Sequence, residues 1–180
     1  KTVSSFAPAK FRRPRGIWVL FSISSVNTAT VKSAASDEEG LFDTSMIVAA
    51  LLQQHPHHGA AFPHFLAVRD GGMQGHLTTH GLAELYATLT ALPLKPRLLP
   101  SDARSLIENS VLPYFQLIPL GPTEYQEALN VTASQNLASG AIYDALHLIG
   151  ARIAGCQSLL TLNLRHFRAL APGDPMIVSP

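Results

Sequence analysis

The sequence predicts a single α/β domain: three layers, α/β/α, around a central parallel sheet. Three observations carry this. From Gly40 onward, short strand-like runs alternate with longer helix-like runs, the order that a parallel sheet with crossover helices requires. The runs at 115–120 and 158–162 read as apolar strands, as expected of strands buried on both faces. The chain of 180 residues, 47% hydrophobic and 14% charged, suits one domain with a sizeable core and excludes a disordered chain.

In order, residues 41–44 form a first strand, and Ser45 is placed to cap a helix over 46–54. His55-Pro56-His57-His58-Gly59 breaks that helix, a second covers 60–68, and Asp70-Gly71-Gly72 makes a turn. A strand follows at 75–79, then a helix over 81–92 that Pro93 ends. Pro100-Ser101-Asp102 opens a helix to about 109, with Asp102 favourable near its N-terminus. After the strand at 115–120, Gly121-Pro122-Thr123 opens a helix to 134. The apolar helix at 139–155 has Ile142, Ala145, Leu146, Ile149 and Ile153 at helical spacing, a stripe expected to pack against the sheet. The strand 158–162, a short helix 164–170 and a last strand 176–178 complete the domain.

Residues 1–39 look foreign to this pattern and read as a leader or extension outside the fold, leaving 40–180 as the domain. Residues 10–36 imitate a secretory signal: Lys10-Phe11-Arg12-Arg13-Pro14-Arg15, a short apolar run, then small residues. The run at 17–26 is too short to cross a bilayer, so no membrane association is expected. A single cysteine, Cys156, permits no intrachain disulfide and fits a reducing, cytoplasmic setting; a secreted protein is the lesser reading. Residues 40–180 carry seven basic and nine acidic side chains, which argues against a broad basic nucleic-acid face. Phosphate binding would have to be local, through a few arginines or metal ions.

In open parallel sheets, ligands bind outside the carboxyl ends of the strands. Asp43 ends the first strand, Glu84 lies one turn into the helix after the second, and Asp144 lies early in the helix before the fourth. Asn163 directly follows that fourth strand. A carboxylate on an apolar helix face, as Asp144 is, needs a partner or a metal. Oxygen donors around a cleft suit Mg²⁺ or Mn²⁺.

Phe42-Asp43-Thr44-Ser45, Ala83-Glu84-Leu85-Tyr86, Ile142-Tyr143-Asp144-Ala145-Leu146-His147 and Leu160-Thr161-Leu162-Asn163-Leu164-Arg165-His166-Phe167 together resemble PIN-domain ribonucleases. The likeness is to VapC-like toxins of toxin–antitoxin pairs and runs from about residue 40 to 180. The resemblance implies that Asp43, Glu84 and Asp144 are the catalytic, metal-ligating acids and Asn163 a further ligand. The family often has an Asp where Asn163 stands, so a second metal site would be weak or absent. It implies Mg²⁺-dependent hydrolysis of RNA phosphodiesters to 5′-phosphate and 3′-hydroxyl ends, with an antitoxin partner and a homodimer. Apolar residues on the first two helices, 46–52 and 60–68, would supply such an interface. Ser45 would hold a ligand water or a carboxylate, and Arg165 and Arg168 would contact RNA phosphates. The alternative is a catalytically silent PIN-like module that binds RNA or protein.

Other features have plainer readings. His55, His57, His58 and His64 lack a cysteine partner and a shared helical face, so they read as a helix-ending loop rather than a metal cluster. His147 and His166 read as packing or surface residues, and Cys156 as a buried structural thiol. No glycine-rich phosphate loop occurs, and Ser45 stands where an aspartyl-phosphate enzyme would need a second acid.

Overall fold

The structure, a computed structural model, describes residues 38–180. Five strands, β1 (Glu39–Phe42), β2 (Gln74–Thr78), β3 (Phe115–Ile118), β4 (Ser158–Leu160) and β5 (Ile177–Val178), form one sheet in the order β3-β2-β1-β4-β5. Every pairing is parallel. β1 begins at Glu39, one residue ahead of the expected domain boundary, and residues 1–37 of the expected extension lie outside the described residues.

Among the described residues seven helices cover the sheet: α1 (Thr44–Leu51), α2 (His58–Arg69), α3 (Thr79–Ala91), α4 (Pro100–Ser110), α5 (Pro122–Ser134), α6 (Ala141–Ala154) and α7 (Leu164–Leu170). Successive side chains of β1 point to opposite faces, so Leu41 packs with α5, α6 and α7 while Phe42 packs with α1 to α4. Leu159 and Leu160 divide in the same way. The three layers are therefore written into the strands residue by residue. Among the described residues no helix is long and apolar enough to cross a membrane.

Four local expectations need correction. Ser45 does not cap α1; the helix starts at Thr44 after Asp43, because Met46 N–H already donates to the Asp43 carbonyl. α2 starts at His58 rather than Ala60, since the His57 carbonyl accepts from the N–H groups of Ala60 and Ala61. α1 offers no apolar surface: Met46 to Leu52 are all buried in the core shared with α2 and α3, as a helix apolar on every side must be. β3 is an edge strand with Gln116 and Leu117 exposed, not a strand buried on both faces.

α6 lies against the sheet with Ala145, Leu146, Leu148, Ile149 and Ala151 buried. Ile153, expected on that stripe, is 55% exposed in the last turn, where Arg152 and Gly155 are exposed too. Gly155 ends the helix in the left-handed region (φ 71°), with Cys156 N–H donating to the Ala151 carbonyl. Gly150 lets α6 approach β2: a Cβ there would lie 2.5 Å from Thr78 Cγ2. That close approach brings the start of α6 over the carboxyl ends of β1 and β2.

Candidate active site

β1 has β2 on one side and β4 on the other, so its carboxyl end is a switch point of the sheet, where open α/β folds place ligands. Asp43 stands there, 3% exposed. Its Oδ2 accepts from Ser45 Oγ at 2.6 Å and from Thr161 Oγ1 at 2.9 Å. Ser45 Oγ in turn accepts from Leu162 N–H at 3.1 Å, and Thr161 Oγ1 from Asn163 N–H at 2.8 Å. The α1 start and the loop after β4 are thus tied together through one carboxylate. The Ser45 hydroxyl is thus engaged within the protein, donating to Asp43 and accepting from Leu162.

Glu84 approaches from α3. Its Oε2 accepts from Thr44 Oγ1 at 2.9 Å and lies 3.1 Å from His147 Nε2. His147, read from the sequence as packing or surface, is 1% exposed and also lies 3.7 Å from Asp43 Oδ1. Donor atoms of Asp43, Glu84 and His147 all fall within 4.8 Å of one another. Burial alone would push His147 down, but the Glu84 hydrogen bond and the charges of Asp43, Glu84 and Asp144 outweigh it and hold the imidazole above its ordinary value. The same hydrogen bond, opposed by burial, keeps Glu84 below the usual glutamate range. His147 is fixed from behind by Thr78 Oγ1 at 3.3 Å from Nδ1, and Gly81 leaves its ring room, since a Cβ there would meet Cε1 at 2.6 Å.

Asp144 lies outside that tight set yet lines the same cleft, of about 310 Å³, with Asp43, Ser45, Glu84 and Asn163. It is 9% exposed, and burial, reinforced by the Asp43 charge, pushes its carboxyl up to about 6. Its Oδ2 lies 3.5 Å from His166 Nδ1. A second cleft of about 600 Å³ adjoins the first, and Glu84, Tyr143, Asp144, Asn163, Arg165 and His166 line it. Arg168 is exposed on α7 but lines neither cleft.

The four predicted residues, Asp43, Glu84, Asp144 and Asn163, do meet in one cleft. Their donor set fits a hard divalent cation: oxygens predominate, and a buried acid held near 6 beside other acids lacks counter-charge.

A family model described as "PIN domain" matches residues 40–165. This chain belongs to the PIN-domain family. The PIN domain is 32% identical over 123 residues to Ribonuclease VapC40 of Mycobacterium tuberculosis, covering 68% of this chain and 85% of that protein. It is 37% identical over 110 residues to Ribonuclease VapC27 of the same organism, covering 61% of this chain and 74% of that protein. Its fold is similar to a solved structure described as VapBC2 from Rickettsia felis bound to a DNA fragment from their promoter. The TM-score is 0.56 at 17% identity, covering 79% of this chain and 98% of that one. The PIN domain seen here is thus VapC-like, and its central sheet is parallel throughout as expected.

Sequence reasoning missed Thr44, Thr161, His147 and His55. His147 was findable: it lies three residues after Asp144, hence on the same helix face. The threonines gave no signal, because a strand-end Thr fills β-propensity equally well. His55 lines the smaller cleft, its Nδ1 accepting from His57 N–H at 3.2 Å, while His58 Nδ1 lies 3.0 Å from the Ala49 carbonyl. Cys156 is buried, which pushes its thiol up to about 11.

Proposed function

We propose that this PIN domain is a metal-dependent endoribonuclease, the toxin of a toxin–antitoxin pair, acting in the cytoplasm. The observation that carries the reading is the meeting of Asp43, Glu84, Asp144 and Asn163 in one cleft at the switch point of the sheet. Similarity to proteins named as VapC ribonucleases supports it. Asp43, Glu84 and Asp144 would hold a divalent ion, Mg²⁺ or Mn²⁺, with Asn163 adding an uncharged oxygen. When bound, such an ion activates water for hydrolysis and offsets charge on phosphoryl oxygens.

The chain's own residues do the rest. Ser45 and Thr161 both hold Oδ2 of the Asp43 carboxylate, which leaves Oδ1, on the His147 side, without a hydroxyl partner. Thr44 does the same for Glu84. Arg165, at the rim of the larger cleft, suits a phosphate of the RNA strand. An antitoxin would be the natural partner, and a homodimer the expected assembly.

The test is cleavage of total RNA by the full chain, with Mg²⁺, with EDTA, and for Asp144→Asn. Discrete fragments that need both Mg²⁺ and Asp144 support the reading, and their ends identify the target. Intact RNA in every lane, from folded protein free of antitoxin, points instead to a silent RNA- or protein-binding module.

A further inference from the structure

Next to the acids lies an aromatic group that the hydrolytic reading does not use. Tyr143 immediately precedes Asp144, yet its side chain is 46% exposed while that of Asp144 is buried. It lines the larger cleft together with Arg165 and Asn163. The phenol ring is stacked on the imidazole of His80, with centroids 4.8 Å apart and planes 23° apart. His80 is held in turn by Tyr125, whose hydroxyl lies 3.3 Å from Nδ1, and its ring meets His147 edge-on at 6.5 Å. The helices that deliver Glu84 and Asp144 are therefore joined at the cleft mouth by a stacked pair of rings.

We propose that Tyr143, backed by His80, is a stacking platform for one unpaired nucleobase of the RNA strand in the cleft. This rests on the ribonuclease reading, to which it adds a residue that contacts the substrate base. Three features point to a base. A half-exposed aromatic ring at the mouth of a polar cleft, braced on one side, offers the flat apolar surface that bases stack on in single-stranded recognition. A cleft of about 600 Å³ has room for a nucleotide. Its lining brings Arg165 and Tyr143 into one cleft with the acids, so a cation for a phosphate and a flat ring for a base are both at hand. Duplex RNA keeps its bases stacked on one another and would not present a free face to Tyr143.

The test uses the full chain in an Asp144→Asn background, to prevent turnover, with Mg²⁺ and a short single-stranded RNA carrying 2-aminopurine at successive positions. Stacking on the platform quenches the fluorescence of the probe at one position. Tyr143→Phe keeps the ring and should keep both the quench and the affinity. Tyr143→Leu keeps apolar bulk without the ring; it should lose the quench and bind roughly tenfold more weakly. In the Asp144-containing enzyme, Tyr143→Leu should raise KM by a similar factor with kcat little changed. Thermal melts of each variant establish that it folds. Equal quenching and affinity for Tyr143→Leu and the parent, or no quenching at any position, overturns the platform. The binding arm reads without cleavage, so loss of the ribonuclease reading and loss of the platform are separate results: intact RNA sinks the first, an indifferent Tyr143→Leu sinks the second.

Discussion

The two walls of the acidic cleft are built differently. On the β1, α1 and α3 wall, the protein answers its own charges: Asp43 accepts two hydroxyl hydrogen bonds, and Glu84 accepts one from Thr44 beside the His147 ring. On the α6 and α7 wall, Asp144 is as buried as a core residue but has only His166 at 3.5 Å as a partner among the described residues. Its carboxyl sits near 6 for that reason, chiefly through burial and next through Asp43. One wall is organised by the fold. The other is left short of counter-charge, a cost in stability that a bound cation or a proton relieves.

The largest effect should come from removing each acid in turn. Asp144→Asn and Asp43→Asn should both reduce Mg²⁺-dependent RNA cleavage, on the order of a thousandfold, as loss of a key electrostatic group does. Their stabilities should diverge. Asp43→Asn weakens two hydrogen bonds to a buried charge and should destabilise the fold by about 2 kcal/mol. Asp144→Asn removes a charge that its histidine neighbours compensate only in part, and should stabilise the fold by about 1–2 kcal/mol at pH 7.5 in EDTA, after allowance for solvent screening. Urea unfolding midpoints of the two variants decide the matter; a loss of stability for both would erase the contrast between the walls.

Gly81→Ala probes the organised wall through its support. The new Cβ would lie 2.6 Å from His147 Cε1 and 2.8 Å from Leu77 Cδ1, both buried, so a cost of about 1–3 kcal/mol is expected. Because the displaced ring is the one beside Glu84, activity should fall as well. Gly150→Ala presses on Thr78 from α6 and should cost a similar amount in the same melt. Gly140→Ala, with open space around the new Cβ, serves as the control.

pH probes the charges of both walls at once. A carboxyl raised in the folded state, as Asp144 is, contributes stability that is full below its unfolded value of 3.8 and is lost as pH rises through about 6. His147, also raised, acts in the same direction, losing its contribution as pH rises through its folded value. Glu84 is depressed and opposes them as pH falls below its ordinary 4.5, while His55 and His80, held down chiefly by burial, oppose them across the histidine range. In EDTA, the Asp144 part of that balance should increase stability by about 1 kcal/mol from pH 8 to pH 5, read as the difference between the parent and Asp144→Asn. Saturating Mg²⁺, which binds the ionised acids, should flatten or invert that slope. An unchanged slope with Mg²⁺ would mean that the ion does not bind at these acids.

How much of this was legible depended on the range of the signal. The alternation of strands and helices is local, so the three layers and nearly every element could be read from Gly40 onward. The convergence of Asp43, Glu84 and Asp144 too was legible, because strand ends of such sheets lie side by side. What failed was tertiary. Whether Ile153 or Met46 to Leu52 is covered depends on neighbours distant in sequence, and helical spacing cannot supply them. Ser45 has the chemistry of a cap, and the structure instead uses that hydroxyl to bridge Asp43 and Leu162. Thr161 gave no sign of its role, since only the fold brings it to a residue 118 positions away.

The smallest expected effect tests that bridge. Ser45→Ala leaves the Leu162 N–H without its acceptor and Asp43 with Thr161 alone. Ser45 is half-buried, so water can replace part of the loss, and a cost of about 1 kcal/mol is expected. If the hydroxyl serves only the fold, cleavage should track that stability loss and recover on cooling. If it orients Asp43, kcat should fall severalfold at a temperature where the variant is fully folded, with the Mg²⁺ requirement raised. Thr161→Val, which removes the other donor from the same oxygen at a fully buried position, should do the same more strongly. Equal Mg²⁺ titrations for all three proteins would show that the organised wall owes its geometry to packing rather than to these two hydroxyls.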